Sequence, residues 1–312
     1  MKTAFAAAIV TVFFAASVLA RQSYIMAAVS RLESGDHSRV LTFDPYDGHL
    51  VHDNYINLQD LPPSISQTPW EISNVGNQIW ISDRGTRRIN RFSLDGAYVG
   101  GFFMPQESVG GARHQPFGMA VASDRVYVTT SSRFVDIFDL DGNFLNSFRP
   151  PMAQANDAFN HGTELLITSA TQSVQGISRF DFEGNYLGSF GNIPGFAYQI
   201  NREPDGNLLV SNRVNDPLAL GLYELSPTGE ILNHWTNQEV SGGGSPLGAL
   251  RLGDGRIFIA EPGGRFIFDP VTGEIEHVLV PTFLNFISLV TVPSPGAAGL
   301  LAAGMIAVRR RR

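Results

Sequence analysis

The sequence predicts an all-β protein, a six-bladed β-propeller whose blades each contain four strands. Three observations predict this fold class: a composition rich in turn-forming residues, a strand–turn–strand pattern that recurs six times, and a strand-like segment near the C-terminus that completes the first copy of the pattern. The chain has 32 glycines and 18 prolines among 312 residues, and 43% of its residues are hydrophobic. This composition suits a buried core built from many short strands joined by turns.

The repeat is marked by six short turns that each end in glycine. Each turn contains an acidic residue, a serine or a threonine, and a strand of apolar and aromatic residues precedes it. The six glycines are Gly48, Gly96, Gly142, Gly184, Gly229 and Gly273, so successive glycines are 48, 46, 42, 45 and 44 residues apart. This spacing is typical of propeller blades with four strands.

The order of parts within one copy is constant. In the third copy, the pattern predicts strands over Gly118–Ala122, Arg125–Thr130, Phe134–Asp139 and Asn143–Phe148. Each predicted strand carries β-branched or aromatic residues, and each joint carries Gly, Asp, Asn or Ser. Four strands per copy and six copies give the predicted architecture.

These copies resemble NHL repeats, most clearly in the segment DRGTRRINRFSLDG from Asp83 to Gly96. The resemblance extends over roughly residues 22–292 and implies a six-bladed propeller. It leaves the activity open, because related propellers include binding scaffolds as well as lyases and lactonases.

The two ends of the repeat region predict how the ring closes. The first copy lacks its first strand, because SYIMAAVS, RVLTFD and HLVHDNY supply only strands two to four. The missing strand is predicted over Phe283–Val292, with the sequence FLNFISLVTV. Pairing this C-terminal strand with the N-terminal blade removes the open edges that promote aggregation.

The first 20 residues have the pattern of a secretory signal peptide. Lys2 precedes an apolar stretch from Ala4 to Ala20, which ends in Val-Leu-Ala. A short basic region, an apolar core and small residues before a cleavage point are recognised by the Sec export machinery and by signal peptidase. We expect cleavage after Ala20, and the alternative is an uncleaved N-terminal anchor.

The C-terminal residues 293–312 form a second address signal with three parts in a fixed order. Val292 is followed by Pro293, Ser294 and Pro295, then by an apolar run from Gly296 to Val308, and then by Arg309, Arg310, Arg311 and Arg312. Arginines after an apolar segment stay on the cytoplasmic side, so the tail is expected to lie in the membrane before processing. A plain membrane anchor is the alternative, although 13 residues are short for the ~20 of a stable span.

This tail, from Val292 to Arg312, resembles the PEP-CTERM sorting signal of Gram-negative bacteria. Ser294 stands where the motif of that family has Glu. The resemblance implies an exosortase-type sorting protease as a partner, transient anchoring in the inner membrane, and a final location at the cell surface or in the extracellular matrix. The chain is thus predicted to consist of a signal peptide (1–20), a propeller (21–292) and a sorting tail (293–312).

Charge and cysteine content exclude several functions. The net charge is −7, and without Lys2 and the four terminal arginines 17 basic residues remain against 29 acidic ones, a net charge of −12. Such an acidic body does not suit nucleic acid, whose binding depends on basic residues that neutralise phosphates. The chain has no cysteine, which excludes disulfides, thiolate metal sites and cysteine nucleophiles.

Candidate site residues come from polar positions near the predicted channel. The loops that join second and third strands contribute Asp83, Arg84, Asn212, Arg213 and Glu261, and the first strands or their approaches contribute Glu71, Asn156, Asp157, Asn160, Asn201 and Glu203. Carboxylates and amides that converge on a channel are suitable ligands for Ca²⁺, the one candidate cofactor. The alternative is ordinary solvated loop polarity.

The sequence therefore leaves several functions open. The favoured hypothesis is an exported surface or matrix protein whose propeller binds a carbohydrate, a protein or a small ligand. The second is a metal-dependent hydrolase, lactonase or lyase at the channel mouth, and the third is a passive structural or adhesive component. No catalytic residue is assigned, because no serine-hydrolase elbow of the form Gly-x-Ser-x-Gly is present.

Overall fold

The computed structural model describes nine parts of the chain. These are residues 21–29, 38–62, 64–66, 68–106, 113–152, 154–169, 176–262, 264–278 and 284–293. Ser23–Val292 form one compact unit. The predicted signal peptide (1–20) and the sorting residues after Pro293 lie outside the described residues, and these predictions stay predictions.

The described residues form 24 strands. In chain order they are β1 (Arg21–Val29), β2 (Arg39–Phe43), β3 (Leu50–Asn57), β4 (Pro69–Val75), β5 (Gln78–Asp83), β6 (Arg88–Ser93), β7 (Tyr98–Phe103), β8 (Pro116–Ala122), β9 (Arg125–Thr130), β10 (Val135–Asp139), β11 (Phe144–Phe148), β12 (Ala155–Asn160), β13 (Leu165–Ser169), β14 (Ile177–Phe180), β15 (Tyr186–Ser189), β16 (Ala197–Arg202), β17 (Leu208–Asn212), β18 (Gly221–Leu225), β19 (Ile231–Thr236), β20 (Gly248–Arg251), β21 (Ile257–Glu261), β22 (Gly264–Phe268), β23 (Ile275–Val278) and β24 (Leu284–Pro293).

The strands form six four-stranded sheets, which confirms the predicted fold class. Blades two to six contain β4–β7, β8–β11, β12–β15, β16–β19 and β20–β23, each in chain order. The first blade has the order β24-β1-β2-β3, so the C-terminal strand completes the N-terminal blade as predicted. The strands predicted for the third copy agree with β8–β11 to within two residues.

The six repeat glycines lie in the turns between third and fourth strands. Their φ angles are all positive, between 76° and 91°. This left-handed region is costly for side chains with a Cβ, which explains why glycine recurs at these positions. In the third blade, Asp139 Oδ1 accepts hydrogen bonds from the backbone N–H groups of Asp141 and Asn143, at 3.0 and 2.8 Å. The Asp-x-Asp-Gly run is therefore a hairpin turn.

The core is divided among the blade interfaces. Six clusters of buried hydrophobic residues each join two neighbouring blades. Residues alternate between the two faces of a sheet, so each middle strand contributes to two clusters. The fourth strands form the outer edge and expose apolar residues such as Phe144 and Tyr186.

Hydroxyl groups on the second strands join consecutive blades. Ser82 Oγ accepts a hydrogen bond from Glu71 N within its own blade (3.0 Å) and donates one to Phe117 O of the next (2.7 Å). Thr129, Thr168 and Ser211 make the same pair of bonds in the following blades. The sixth blade has Ala260 at this position. These bonds hold the inner strands in register around the channel.

Helical structure is sparse in the described ranges. One helix of five residues, α1 (Asn237–Ser241), follows β19. The carboxylate of Glu239 accepts hydrogen bonds from the backbone N–H and the hydroxyl of Thr236, both at 2.7 Å. No apolar helix of membrane-spanning length occurs among the described residues.

Candidate functional site

The six inner strands, which are β4, β8, β12, β16, β20 and β24, surround the channel of the propeller. We call the end of the channel where these strands begin the amino end, and the end where they finish the carboxyl end. Neighbouring inner strands contact each other directly from β4 to β20. Asn285 Nδ2 donates a hydrogen bond to Pro69 O at 2.7 Å, which joins β24 to β4. The channel is thus enclosed by residues from every blade.

Aromatic rings fill the channel between its two ends. Trp70, Phe117 and Phe286 come from three different inner strands and are at least 92% buried. The ring centroids of Trp70 lie 5.6 Å from Phe117 and 5.7 Å from Phe286, and Tyr198 lies 6.3 Å from Phe286. We call these four residues the aromatic cluster. Because it packs across the channel, the two ends are separate environments.

Two arginines cover the aromatic cluster at the amino end. The guanidinium carbon of Arg84 lies 4.3 Å from the ring centre of Trp70 and 4.1 Å from that of Phe117. Arg213 lies 4.9 Å from the ring centre of Tyr198. Partial burial lowers the pKa of Arg84 from its ordinary value. These cation–π contacts close the cluster on that side.

Glu261 is buried at the amino end, at the last position of β21. Burial raises the pKa of its carboxyl to about 7, while bonds from Ser241 and the backbone of Ser245 and the charge of Arg213 act in the opposite direction. Ser241 and Ser245 therefore supply donors to this carboxylate, while its Oε1 has no hydrogen-bond partner.

The other candidates at the amino end have structural partners. Asp83 accepts hydrogen bonds from Ser66 Oγ, Thr68 N, Thr86 N and Thr86 Oγ1. Asn156 Nδ2 donates to Ala197 O at 3.0 Å, and Asn212 Nδ2 donates to Pro194 O at 3.0 Å. These buried polar groups are hydrogen-bonded to nearby protein atoms, which satisfies them without a ligand.

The carboxyl end holds a pocket of about 640 Å³. All six inner strands line it, and four of the predicted candidates, Glu71, Asp157, Asn201 and Glu203, are among the lining residues. The apolar part of the wall consists of Ile72, Met119, Val121, Ala158, Phe159, Ile200, Leu250 and Leu289. Apolar walls with a few convergent polar groups are typical of small-molecule sites.

Glu71 and Asp157 form an acidic pair at the floor of this pocket. Glu71 Oε2 accepts a hydrogen bond from Met119 N at 2.6 Å, and Asp157 Oδ2 accepts one from Ile200 N at 3.0 Å. Asp157 extends across β8, where a Cβ on Gly118 would overlap its side chain. Each carboxylate thus spans from its own blade to the next.

Burial shifts the proton affinity of both carboxyls upward. It raises the pKa of Asp157 to about 8, against the lowering effect of its backbone hydrogen bonds. Burial and then the nearby charge of Asp157 raise the pKa of Glu71 well above its usual range. Two close carboxylates in a low-dielectric site resist double ionisation, so the pair retains a proton near neutral pH.

Gln199 completes the floor and was not predicted as a site residue. Its Nε2 donates to Ile287 O at 2.9 Å and its Oε1 accepts from Ile287 N at 3.1 Å. The side chain therefore joins β16 to β24 and passes Gly248 of the blade between them. No catalytic or ligand motif marks this glutamine in the sequence.

Charged residues of both signs surround the rim of the pocket. Arg251 Nε lies 2.7 Å from Glu203 Oε1, and Arg251 Nη2 lies 3.2 Å from Glu224 Oε2. Arg202 is exposed, with its guanidinium carbon 5.3 Å from the ring centre of Phe159. Arg251 is neutralised by its neighbours, whereas Arg202 forms no ion pair within the described part of the chain.

The predicted Ca²⁺ ligands do not form a single coordination shell. Glu71 and Asn201 line the pocket, while the amides of Asn156 and Asn212 bond to backbone carbonyls at the amino end. At the floor, Asp157 Oδ1 is buried without a hydrogen-bond partner. Ca²⁺ binds six to eight oxygen ligands, so several waters would be needed beside the acidic pair and Gln199 to complete its coordination shell.

A separate group of possible metal ligands lies at the turn between β2 and β3. Oxygen or nitrogen atoms of Asp44, Asp47 and His49 lie within 4.8 Å of one another. Asp44 Oδ1 accepts a hydrogen bond from Tyr46 N at 2.7 Å, and Asp47 Oδ1 lies 2.6 Å from His49 Nδ1. These contacts account for the cluster as part of a hairpin turn.

Comparisons with known proteins support the fold. No protein-family model matches the chain, and no curated protein matches it. The structure is similar to a chain of a nidogen/laminin complex, with a TM-score of 0.61 and 12% identity over 86% of this chain and 98% of that chain. A candidate 6-phosphogluconolactonase from Bacteroides fragilis gives a TM-score of 0.52 and 14% identity, over 86% and 98% of the two chains. Hydrazine synthase from Kuenenia stuttgartiensis gives 0.53 and 14%, over 68% and 66%. At these identities, the likeness concerns the fold alone.

Proposed function

We propose that this chain is an exported β-propeller that binds a small ligand in the pocket at the carboxyl end of its channel. The observation that carries the proposal is the pocket itself, about 640 Å³ in volume and lined by all six blades. Volumes of this order suit small ligands. The apolar wall of the pocket supplies contact area, and its buried acidic floor can orient a bound ligand.

Other parts of the proposal rest on sequence patterns. The N-terminal 20 residues support export through the Sec machinery and removal by signal peptidase. The tail after Val292 supports sorting by an exosortase-type protease and a location at the cell surface or in the extracellular matrix of a Gram-negative bacterium. The segment from Asp83 to Gly96 supports blades of the NHL type.

A pocket-filling variant tests the binding site. Ser288 is half-buried and lines the pocket, so Ser288→Trp should occupy part of its volume. Ser147→Trp is a matched control, because Ser147 is half-buried on the outer strand β11. We expect ligand-observed NMR with a panel of amino acids, amines and oligosaccharides to show binding that Ser288→Trp removes and Ser147→Trp retains.

The proposal would be abandoned if every bound compound were retained equally by both variants. Compounds that lose binding in Ser147→Trp instead would move the site to the outer face of the third blade. Circular dichroism of both variants shows whether the fold is intact before binding is compared.

A metal-dependent hydrolase, lactonase or lyase is the second candidate function. It is favoured by one observation, the buried pair of carboxyls with raised pKa at the pocket floor. Groups with such shifts act as general acids and bases near neutral pH. If Ca²⁺ binds there, Glu71 and Asp157 would hold it and it would polarise a substrate oxygen. This candidate requires turnover of lactone, ester or peptidyl-glycine substrates that a chelator abolishes.

A further inference from the structure

We infer that the pocket at the carboxyl end takes a small zwitterion, with its ammonium group at Glu71 and Asp157 and its anionic group at Arg202. The inference rests on the proposed binding function and names the class of ligand. It follows from three features of the pocket, which are the floor, the rim and the wall between them.

The floor of the pocket contains a carboxylate oxygen that lacks a hydrogen-bond donor. Asp157 is 2% exposed, and its Oδ1 has no partner. Its Oδ2 and Glu71 Oε2 already accept backbone N–H groups. A buried carboxylate oxygen without a partner is costly, and the cost falls when a cationic donor reaches it. An ammonium group offers three N–H donors in a compact volume, which suits a site with two carboxylates.

The surrounding charges leave the floor without a protein cation. β16 contributes Arg202, Glu203 follows it, and β20 contributes Arg251, while the lining residues of β8 and β24 carry no titratable group. Arg251 is held by Glu203 and Glu224. Arg84 lies on the other side of the aromatic cluster. A ligand cation therefore has no competitor among the described residues at the floor.

The rim supplies a cation at a suitable distance from the floor. Ile200 N bonds to Asp157, and Arg202 lies two residues further along β16. Two residues of a strand span about 7 Å, which sets the separation of floor and rim along the channel. Arg202 is exposed and forms no ion pair in the described ranges, so its guanidinium is available to a carboxylate.

Much of the pocket wall is apolar. Ile72, Met119, Ala158 and Leu250 are among the lining residues. A short hydrocarbon spacer between ammonium and carboxylate would bury its methylene groups against these residues, which is favourable. The pocket is thus complementary to a molecule with a cationic head, an apolar middle and an anionic end.

Calorimetric titration of the full chain tests the ligand class. The probe is 6-aminohexanoate, and hexylamine and hexanoate carry only one of its two charges. At pH 8 we expect 6-aminohexanoate to bind at least about tenfold more tightly than either, since each charged contact contributes roughly 1.4 kcal/mol or more.

Variants assign the two ends of the probe. Asp157→Asn should abolish binding of 6-aminohexanoate and hexylamine. Arg202→Gln should reduce the affinity for 6-aminohexanoate to that for hexylamine and leave hexylamine unchanged. Asp124→Asn and Arg149→Gln alter exposed residues outside the pocket and serve as controls. If Asp157→Asn does not fold, Glu71→Gln replaces it.

The pH dependence provides a readout that a structural role would not give. The acidic pair must release a proton to accept the ammonium group, so affinity should rise between pH 6 and pH 8, and the heat of binding should change with the ionisation enthalpy of the buffer.

Two outcomes overturn the ligand class. One is equal affinity for 6-aminohexanoate and hexanoate, and the other is binding of 6-aminohexanoate that Asp157→Asn and Arg202→Gln leave intact. If hexanoate or a neutral compound binds and Ser288→Trp removes it, the zwitterion is wrong while the binding pocket stands. If Ser288→Trp leaves all binding unchanged, both proposals fail.

Discussion

The two ends of the channel contain similar residues in different settings. At the amino end, Arg84 and Arg213 lie on aromatic rings and Asp83 accepts four hydrogen bonds. At the carboxyl end, Glu71 and Asp157 lie at the floor of a pocket, and one oxygen of Asp157 has no partner. Glu261 Oε1 at the amino end also lacks a hydrogen-bond partner, so the open volume of the pocket, and not an unpartnered atom alone, distinguishes the carboxyl end.

Glu261 and Asp157 show this contrast in two equally buried carboxylates. Each side chain is 2% exposed, and burial raises the pKa of each. Glu261 has two serine donors and Arg213 nearby, whereas Asp157 has backbone N–H groups and a second carboxyl. The two carboxylates therefore differ in their neighbours and in the pocket beside Asp157, and not in depth of burial.

The largest effect is expected from the aromatic cluster that separates the two ends. Trp70→Ala removes a ring that contacts Phe117, Phe286 and Arg84. Loss of a buried tryptophan should lower the free energy of unfolding by about 3–5 kcal/mol, measured by urea unfolding. Leu289→Ala at the exposed pocket rim should cost about 0.5 kcal/mol or less. Equal losses in the two variants would show that the ends are not separated by a structural core.

An intermediate effect is expected at the carboxyl end, from the pH dependence of stability. The pKa of Asp157 rises from 3.8 to about 8 on folding, so the folded state binds this proton more tightly. Its contribution is complete below about pH 4 and is lost as the pH rises to about 8. Asparagine does not titrate, so the free energy of unfolding of Asp157→Asn relative to wild type should increase by about 2–4 kcal/mol as the pH rises from about 4 to about 8.

Urea unfolding at pH 5, 6, 7 and 8 measures the difference between wild type and Asp157→Asn. Asp124→Asn is the matched control, because Asp124 is exposed. A difference that stays constant with pH would contradict the raised pKa.

The smallest effect is expected from Glu261→Gln at the amino end. The pKa of Glu261 rises from 4.5 to about 7, which is a smaller shift than that of Asp157. The stabilising contribution of the protonated form is full below about pH 4.5 and lost by about pH 7, so Glu261→Gln should gain about 1–2 kcal/mol over wild type in this range. The same urea series measures this gain. If the stability difference between Glu261→Gln and wild type changed more steeply with pH than that between Asp157→Asn and wild type, the larger electrostatic effect would lie at the amino end.

The sequence was sufficient for the fold because its signals are local and repeated. A glycine in each of the six turns marks where a third strand ends, and in the structure each of these glycines has a positive φ. The incomplete first copy predicts where the C-terminal strand pairs. A further repeated signal was available, since Ser82, Thr129, Thr168 and Ser211 recur near the ends of second strands. These hydroxyls mark the inter-blade bonds.

The candidate site was less predictable because it depends on irregular strands. The pairing of inner and second strands shifts between Pro69 and Ile72 and between Ala155 and Ala158. Such bulges change which side a residue faces, and alternation along the sequence does not reveal them. They place Trp70 in the aromatic cluster and its neighbour Glu71 in the pocket. The same irregularity explains why Asn156 and Asp157, adjacent in the chain, belong to different ends.

The hydroxyl series that joins the blades is interrupted at Ala260 of the sixth blade, which precedes the first blade, where the C-terminal strand β24 pairs with the N-terminal strand β1. Gln199 spans this interval with two hydrogen bonds to Ile287. Gly248 lies beneath that amide, and a Cβ there would overlap Gln199 Oε1. Because Gly248 has no side chain, Gln199 of the fifth blade can reach the final strand and bind it through these two hydrogen bonds. The side chain that lines the pocket floor thus also holds the closing strand β24 in place.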